Sequence, residues 1–399
     1  MRYTVFLFAL TALILSACEH PVSEIQMEKF VKLYGNEFMD EARDIEVLED
    51  GSYAICGIDS IPGVGKQMIL VITDEYGNMK TGFPKYFTEG ALNSGANALL
   101  AKRGGQGGFL LCGYLERPVE GSVRTQRDLF LVRISSTGQE LWKKSYGSIE
   151  DETILHVAER ISSGFMLAGY QIRDGQRDIM VMGVTEEGDS VELSFNYNNP
   201  YADNASANYI LNTGDRYLCL CTYDRIAGDG TDILILNFDD QLSPNIKILD
   251  GSEDEYARAI VQQSDESFLL LGNRVSQSGK EEIVLYSVET NGSLVTSSNQ
   301  ITTLTDASGN LHSSRMLKMP DGRIAIVGTR EAGGETGMFL QFLSSGFQEG
   351  DRLFYNGPGT QTGVDIALPG DDGILLLGTN TQESNSMIAL MKTDEKGGL

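Results

Sequence analysis

Short apolar runs closed by a glycine recur along this chain at intervals of about fifty residues. They are Tyr53–Gly57, Phe109–Gly113, Phe165–Gly169, Phe268–Gly272, Ile324–Gly328 and Ile374–Gly378. A seventh, Tyr217–Cys221, has cysteine in the glycine position. The closing positions are 56, 56, 52, 51, 56 and 50 residues apart, so the copies tile the chain with no room for another domain. Each run follows a first strand, such as Ala42–Leu48 or Ala257–Val261, across a polar turn such as Glu49–Ser52 or Pro320–Gly322. Asp-Gly and Gly-Gly pairs supply the positive φ that tight hairpins need. A third strand comes next, as in Asp128–Ile134 or Asp232–Leu236, then a second turn, then a fourth strand such as Glu140–Tyr146. No long segment has helical periodicity, which excludes helical repeats.

A four-stranded meander of this size cannot bury both faces alone, and radial stacking solves that while protecting sheet edges. The seventh copy reaches its third strand at Met387–Met391 and then stops at Leu399. Met27–Gly35 matches the fourth-strand segment Leu141–Gly147 in character. The expected fold is therefore all-β, a seven-bladed β-propeller of four-stranded antiparallel blades, with an N-terminal strand closing the last blade. The closing glycine is expected where a side chain would collide with the next blade.

The N-terminus changes where this wheel sits. One arginine, an apolar run over Thr4–Leu15 and small residues before Cys18 read as a secretory signal. The run is too short for a spanning helix. Leu15–Cys18 resembles the lipobox of bacterial lipoproteins, which implies cleavage before Cys18 and lipidation of its sulfur. The organisation expected is a signal peptide over 1–17, lipidated Cys18 with a tether over 18–26, and one domain over 27–399. Membrane contact then comes through the acyl anchor.

The net charge of −25 excludes a nucleic-acid partner, because no positive field is available to draw phosphates. Cys56, Cys112, Cys219 and Cys221 lie within the apolar runs, which suits free core cysteines better than disulfides. Trp142, the sole tryptophan, falls in a fourth strand and is expected to pack between blades or at the outer edge.

The repeat unit has an acidic pair before the first strand, an apolar strand ending at Gly57, Gly113, Gly169 or Gly272, an Asp-led third strand, and a turn before Trp142. It resembles the propeller repeats of exported lipoproteins from Bacteroidetes-type bacteria. That resemblance implies an outer-membrane location, on its periplasmic or external face, and carries no functional residues with it.

Candidate chemistry is sparse. Acidic residues recur at the start of first strands: Asp40, Glu41 and Asp44, then Asp151 and Glu152, then Asp254 and Glu255, and Asp365. Pointing inward they would form a negative rim able to hold Ca²⁺; otherwise they bond turn backbone and confer solubility. No cofactor is called for. His156 and His312 sit in first strands as lining candidates, and Tyr114, Tyr170 and Tyr223 follow the closing positions of copies two to four, a pointer to a peptide or glycan surface. There is no zinc motif, nucleophile elbow or phosphate loop, so no catalytic residue is assigned. The leading expectation is a monomeric, non-enzymatic binding or scaffold module for an envelope protein or glycan. The alternative is a channel-centred hydrolase or lyase, dependent on a divalent cation in one version.

Overall fold

The computed structural model describes residues 28–36, 38–90, 92–102, 107–121, 124–197, 202–225, 230–249, 251–293 and 301–399. The signal segment, Cys18 and the tether lie outside them.

The described chain is built of strands in antiparallel meanders. After β1 (Phe30–Tyr34) comes a sheet of β2 (Glu41–Val47), β3 (Tyr53–Ile61), β4 (Gly65–Thr73) and β5 (Lys85–Phe87). The next holds β6 (Ser94–Ala101), β7 (Phe109–Pro118), β8 (Thr125–Ile134) and β9 (Glu140–Tyr146). Two meanders then share one sheet. The first is β10 (Glu152–Glu159), β11 (Phe165–Arg173), β12 (Gln176–Val184) and β13 (Ser190–Tyr197). The second is β14 (Ala202–Asn212), β15 (Tyr217–Arg225), β16 (Thr231–Phe238) and β17 (Asn245–Leu249). A single parallel pairing, Arg177 with Asn204, joins them. The following sheet contains β18 (Asp254–Gln262), β19 (Ser267–Val275), β20 (Glu281–Glu289) and β21 (Ile301–Leu304). Another contains β22 (Asn310–Lys318), β23 (Ile324–Ala332), β24 (Glu335–Leu343) and β25 (Glu349–Tyr355). The last contains β26 (Thr360–Ala367), β27 (Ile374–Gln382) and β28 (Asn385–Thr393), and β1 is its outer strand, pairing antiparallel with β28 from Phe30–Lys392 to Tyr34–Ile388.

The apolar runs read as continuous because the second strands are buried on both faces. Tyr53 and Ile55 pack with Leu375, Leu377, Ile388 and Leu390 of the last sheet. The alternating residues Ala54 and Cys56 pack with Leu111, Phe130 and Val132 of the next one. The same division recurs around the molecule, each hydrophobic cluster being shared by two consecutive meanders. First strands neighbour one another in an unbroken circuit, β2–β6–β10–β14–β18–β22–β26 and back to β2. The result is a β-propeller-like closure. Cys56, Cys112, Cys219 and Cys221 are all buried and unpaired. Trp142 packs between meanders: its indole N–H donates to Glu186 O at 2.9 Å, over the Gly188 turn.

The closing glycine meets a neighbouring blade at Gly272 and Gly378, where a Cβ would stand 2.7 Å from Ile233 and 2.3 Å from Met338, but in most copies the nearest obstacle lies in its own sheet. A Cβ at Gly57 would stand 2.1 Å from Glu41 O, and one at Gly169 only 1.9 Å from Thr153 O. These carbonyls belong to the first strand of the same sheet, not to the next blade. In all seven copies the first strand bulges opposite the closing position, as between Ala42 and Asp44 against Gly57 and Cys56. The bulge pushes a carbonyl inward and re-aims the side chains that follow.

A candidate site at the ring axis

The residue after each bulge is the innermost side chain of its sheet. In chain order these are Asp44, Ala98, His156, Tyr209, Ala259, Arg315 and Asp365. Five of them form a polar cluster that reaches across the ring. Arg315 lies 5.3 Å over the Tyr209 ring, although β22 and β14 are not consecutive in the circuit. The His156 and Tyr209 rings lie against each other, tilted by 31°, with centroids 3.9 Å apart. Arg315 Nε is 3.9 Å from Asp365 Oδ1, a loose ion pair. Asp44 and Asp365 share a hydrogen bond. Burial, then the Asp365 charge and that hydrogen bond, hold the Asp44 carboxyl well above its ordinary range. Burial and the nearby Arg315 charge keep His156 neutral. Burial raises the Tyr209 phenol to about 12.

The same side chains tie the sheets together. Asp365 Oδ2 accepts from Ile45 N at 3.1 Å, Asp44 Oδ2 from Leu99 N at 2.8 Å, and His156 Nδ1 from Ile210 N at 3.4 Å. Each of these amides follows the bulge of the next first strand. Because Nδ1 accepts, neutral His156 carries its proton on Nε2. The bulge residues do the converse: Asn97 donates to Ile154 O at 2.8 Å, and Ser314 to Gly363 O at 2.7 Å. Residues just past the closing position add another link. Thr379, Thr222, Asn273 and Thr329 accept the amides of Ala42, Ala257, Ser313 and Gly363.

The remaining acidic candidates are turned toward neighbouring strands rather than into one rim. Asp151 accepts from Arg127 N at 2.7 Å and Asp254 from Thr231 N at 2.9 Å, each capping the third strand of the preceding sheet. Asn93 and Asn310 do the same for Lys66 N and Glu281 N. The task requires only an acceptor oxygen, so asparagine serves where other copies carry aspartate. Glu152 is bonded by Ser148, and Glu255 by the Tyr286 hydroxyl at 2.5 Å; burial raises both carboxyls. Glu41 pairs with Arg43 and Lys66. Among the described residues, no group of three or more His, Cys, Asp or Glu side chains is placed to hold a metal ion.

Asp40 is fully buried, accepts from Asn36 N and Ser60 N, and is pushed up to about 7 by burial and by a hydrogen bond with Asp59. A carboxyl with a raised folded pKa favours folding while protonated. Its contribution is full below about pH 4 and is lost as pH rises through about 7. Asp40→Asn is therefore expected to gain Tm relative to the wild type between pH 5 and pH 8. A difference in Tm that stays constant across that range would refute the assignment.

The other aromatic and histidine candidates do not join the axis. Tyr114 and Tyr223 are buried, and Tyr114 and Tyr170 lie beneath the Arg127 and Arg177 guanidinium groups at 4.2 and 4.3 Å. His312 stands before the bulge of β22 with Nδ1 2.5 Å from Glu281 Oε2, so it does not meet His156. Sequence reasoning named Asp44, His156 and Asp365 separately and missed Tyr209 and Arg315. A usable signal existed: the innermost residue stands thirteen positions before the closing glycine in five of the seven copies, Asp44, His156, Ala259, Arg315 and Asp365.

No protein-family model matches the chain, and no curated protein matches it in sequence. Solved structures do resemble it. A periplasmic gluconolactonase from Pseudomonas aeruginosa superposes with a TM-score of 0.55 at 11% identity, over 86% of this chain and 97% of that one. A puromycin hydrolase mutant gives 0.57 at 12% identity, over 90% of this chain and 52% of that one. An acylaminoacyl peptidase from Pyrococcus horikoshii gives 0.51 at 12%, over 90% and 52%. The chain thus spans about half the length of the last two, and at these identities the likeness is one of fold, that of a β-propeller-like ring.

Proposed function

We propose that this protein is an exported, lipid-anchored component of the cell envelope, a seven-bladed β-propeller of the Bacteroidetes lipoprotein type that works at its axis as a hydrolase or lyase. The circuit of first strands and the fourth, glycine-free copy support the blade count. Cys18 and its preceding apolar run support the outer-membrane anchor, and the fold's likeness to a periplasmic enzyme is compatible with export.

The observation that carries the catalytic reading is the Asp44–Asp365 pair. The Asp44 carboxyl, held well above its ordinary range, is the candidate proton donor, and Asp365, hydrogen-bonded to it, is its partner. Arg315 and Tyr209 lie beside them, with the His156 ring against Tyr209, and supply donors able to orient a small polar substrate and to stabilise developing negative charge. The test uses the full chain in detergent, taken from the membrane fraction where an acylated Cys18 is expected to hold it. Esters, lactones, glycosides and uronate-containing glycans are offered with and without EDTA, and products are read by mass spectrometry. Asp44→Asn is expected to cut turnover by about 10²-fold or more. No turnover of any class, or turnover unchanged in Asp44→Asn, would overturn the reading. Activity lost in EDTA would add the calcium ion that the acidic rim suggested from sequence.

One observation favours the rival, a monomeric binding or scaffold module for an envelope protein or glycan. Asp44, Asp365 and His156 each already accept a backbone N–H, which is a structural use. Under that reading Asp44→Asn lowers stability and leaves no activity to lose.

A further inference from the structure

We propose that the cavity between β14 and β18 is a subsite for a small carboxylate-bearing ligand, with Arg258 as its cation. The cavity measures about 350 Å³, within the range of small-molecule sites, and opens where the first strands begin. Arg177, Asn204, Asn208, Tyr256 and Arg258 line it. Arg258 is the bulge residue of β18, so it stands in the innermost layer beside the axial cluster. Its Nε is buried with no acceptor. No carboxylate lies within ion-pair distance of it among the described residues. Its acidic neighbour Glu281 acts on it only from beyond that distance.

The contrast with other arginines sharpens the point. Arg43, the bulge arginine of β2, is paired with Glu41, and Arg274, Arg330 and Arg352 are all paired with acids. Asp224 also lines the cavity, but it is engaged by Thr231 and Asn204. Burial and the neighbouring Arg315 charge disfavour the Arg258 cation more than the Glu281 charge favours it, and an entering anion relieves both penalties. A buried cation without a counter-charge is costly, and an entering carboxylate would supply both charge and acceptor atoms to the planar fork. Arg177, exposed at the mouth over the Tyr170 ring, adds a steering charge against the acidic surface. Asn208 and Tyr256 offer amide and hydroxyl partners beside the carboxylate. The ligand class is a small organic acid of sugar-acid size. This deepens the axial reading, resting on it for the reaction but not for the binding.

Isothermal titration of the full chain in detergent with glucuronate, and with glucose as its neutral counterpart, tests the subsite. Glucuronate is expected to bind and glucose not to. Arg258→Met should weaken glucuronate by about tenfold or more, and Arg177→Gln by a few-fold. Failure of glucuronate to bind, or equal affinity in Arg258→Met, overturns the proposal. If Arg258→Met does not fold by circular dichroism, Arg258→Lys and Arg177→Gln decide, and unchanged affinity in both overturns it. Binding is read without turnover. Arg258-dependent binding with no turnover strikes only the catalytic reading, and turnover without binding strikes only the subsite.

Discussion

Gly113→Ala is expected to destabilise the fold by about 3 kcal/mol, the upper end of what overpacking costs. The bulge between Ala96 and Ala98 drives the Gly95 carbonyl toward β7, and a Cβ at Gly113 would sit 1.9 Å from that oxygen and 2.9 Å from its carbon. Both are backbone atoms in the innermost strand, held by links to the sheets on either side, so neither can rotate away. Gly272 offers a graded comparison. There the nearest carbonyl, Tyr256 O, is 3.2 Å off, and the closest atom is the end of the Ile233 side chain. Gly272→Ala should cost clearly less. Gly370 has nothing within 4 Å of an added Cβ, and Gly370→Ala should stay within about 0.5 kcal/mol of the wild type. Urea denaturation of the three variants gives the ranking. Equal midpoints for Gly113→Ala and Gly370→Ala would remove the steric account of the repeat's most regular residue.

The same glycine shows how far the sequence could be read. Its recurrence located the strands, the turns and the all-β class, because strands buried on both faces must be apolar throughout and tight hairpins must use residues tolerant of positive φ. The N-terminal closing strand was legible too, since Met27–Gly35 has the alternation of an outer strand and pairs as expected from Phe30. What the glycine faces was not legible. A bulge leaves no mark in hydrophobic periodicity, because it adds one residue to one strand and nothing to its partner. With the bulge unseen, the residues after it were placed on the wrong footing. Asp44 and Asp365 were grouped with rim acids such as Asp151 and Asp254, although the former face the axis and the latter cap a neighbouring strand. Tyr209 and Arg315 went unnoticed because a tyrosine or arginine in a half-apolar strand is unremarkable until the ring brings them to one point. Their meeting is a property of closure, and closure joins residues that are over a hundred positions apart.

Closure also sets the second large effect. Removing Phe30–Tyr34 is expected to lower stability by at least about 4 kcal/mol, the scale of losing one large buried aromatic before any ladder bond is counted. Tyr34 shares one hydrophobic cluster with Ala42, Ile45, Ile388 and Leu390, and its buried hydroxyl donates to Gly77 O at 2.6 Å. The Phe30 ring lies against Gly77, and Lys32 reaches Asn78 Oδ1 at 2.9 Å. One short strand thus rivets the last sheet to the first, beside the contacts of Asp40 with Ser386. Without it, β28 presents an unpaired edge, and a free edge recruits another chain. The shortened protein should therefore melt earlier in urea and also self-associate with rising concentration in sedimentation. Val31 and Leu33 are exposed, so replacing both with threonine keeps the ladder and should change little. That pair of variants separates the two parts of the effect: the strand's backbone and Tyr34 hold the ring shut, while its outward side chains do not. A deletion that melts with the wild type and stays monomeric would mean that the circuit of first strands closes without its clasp.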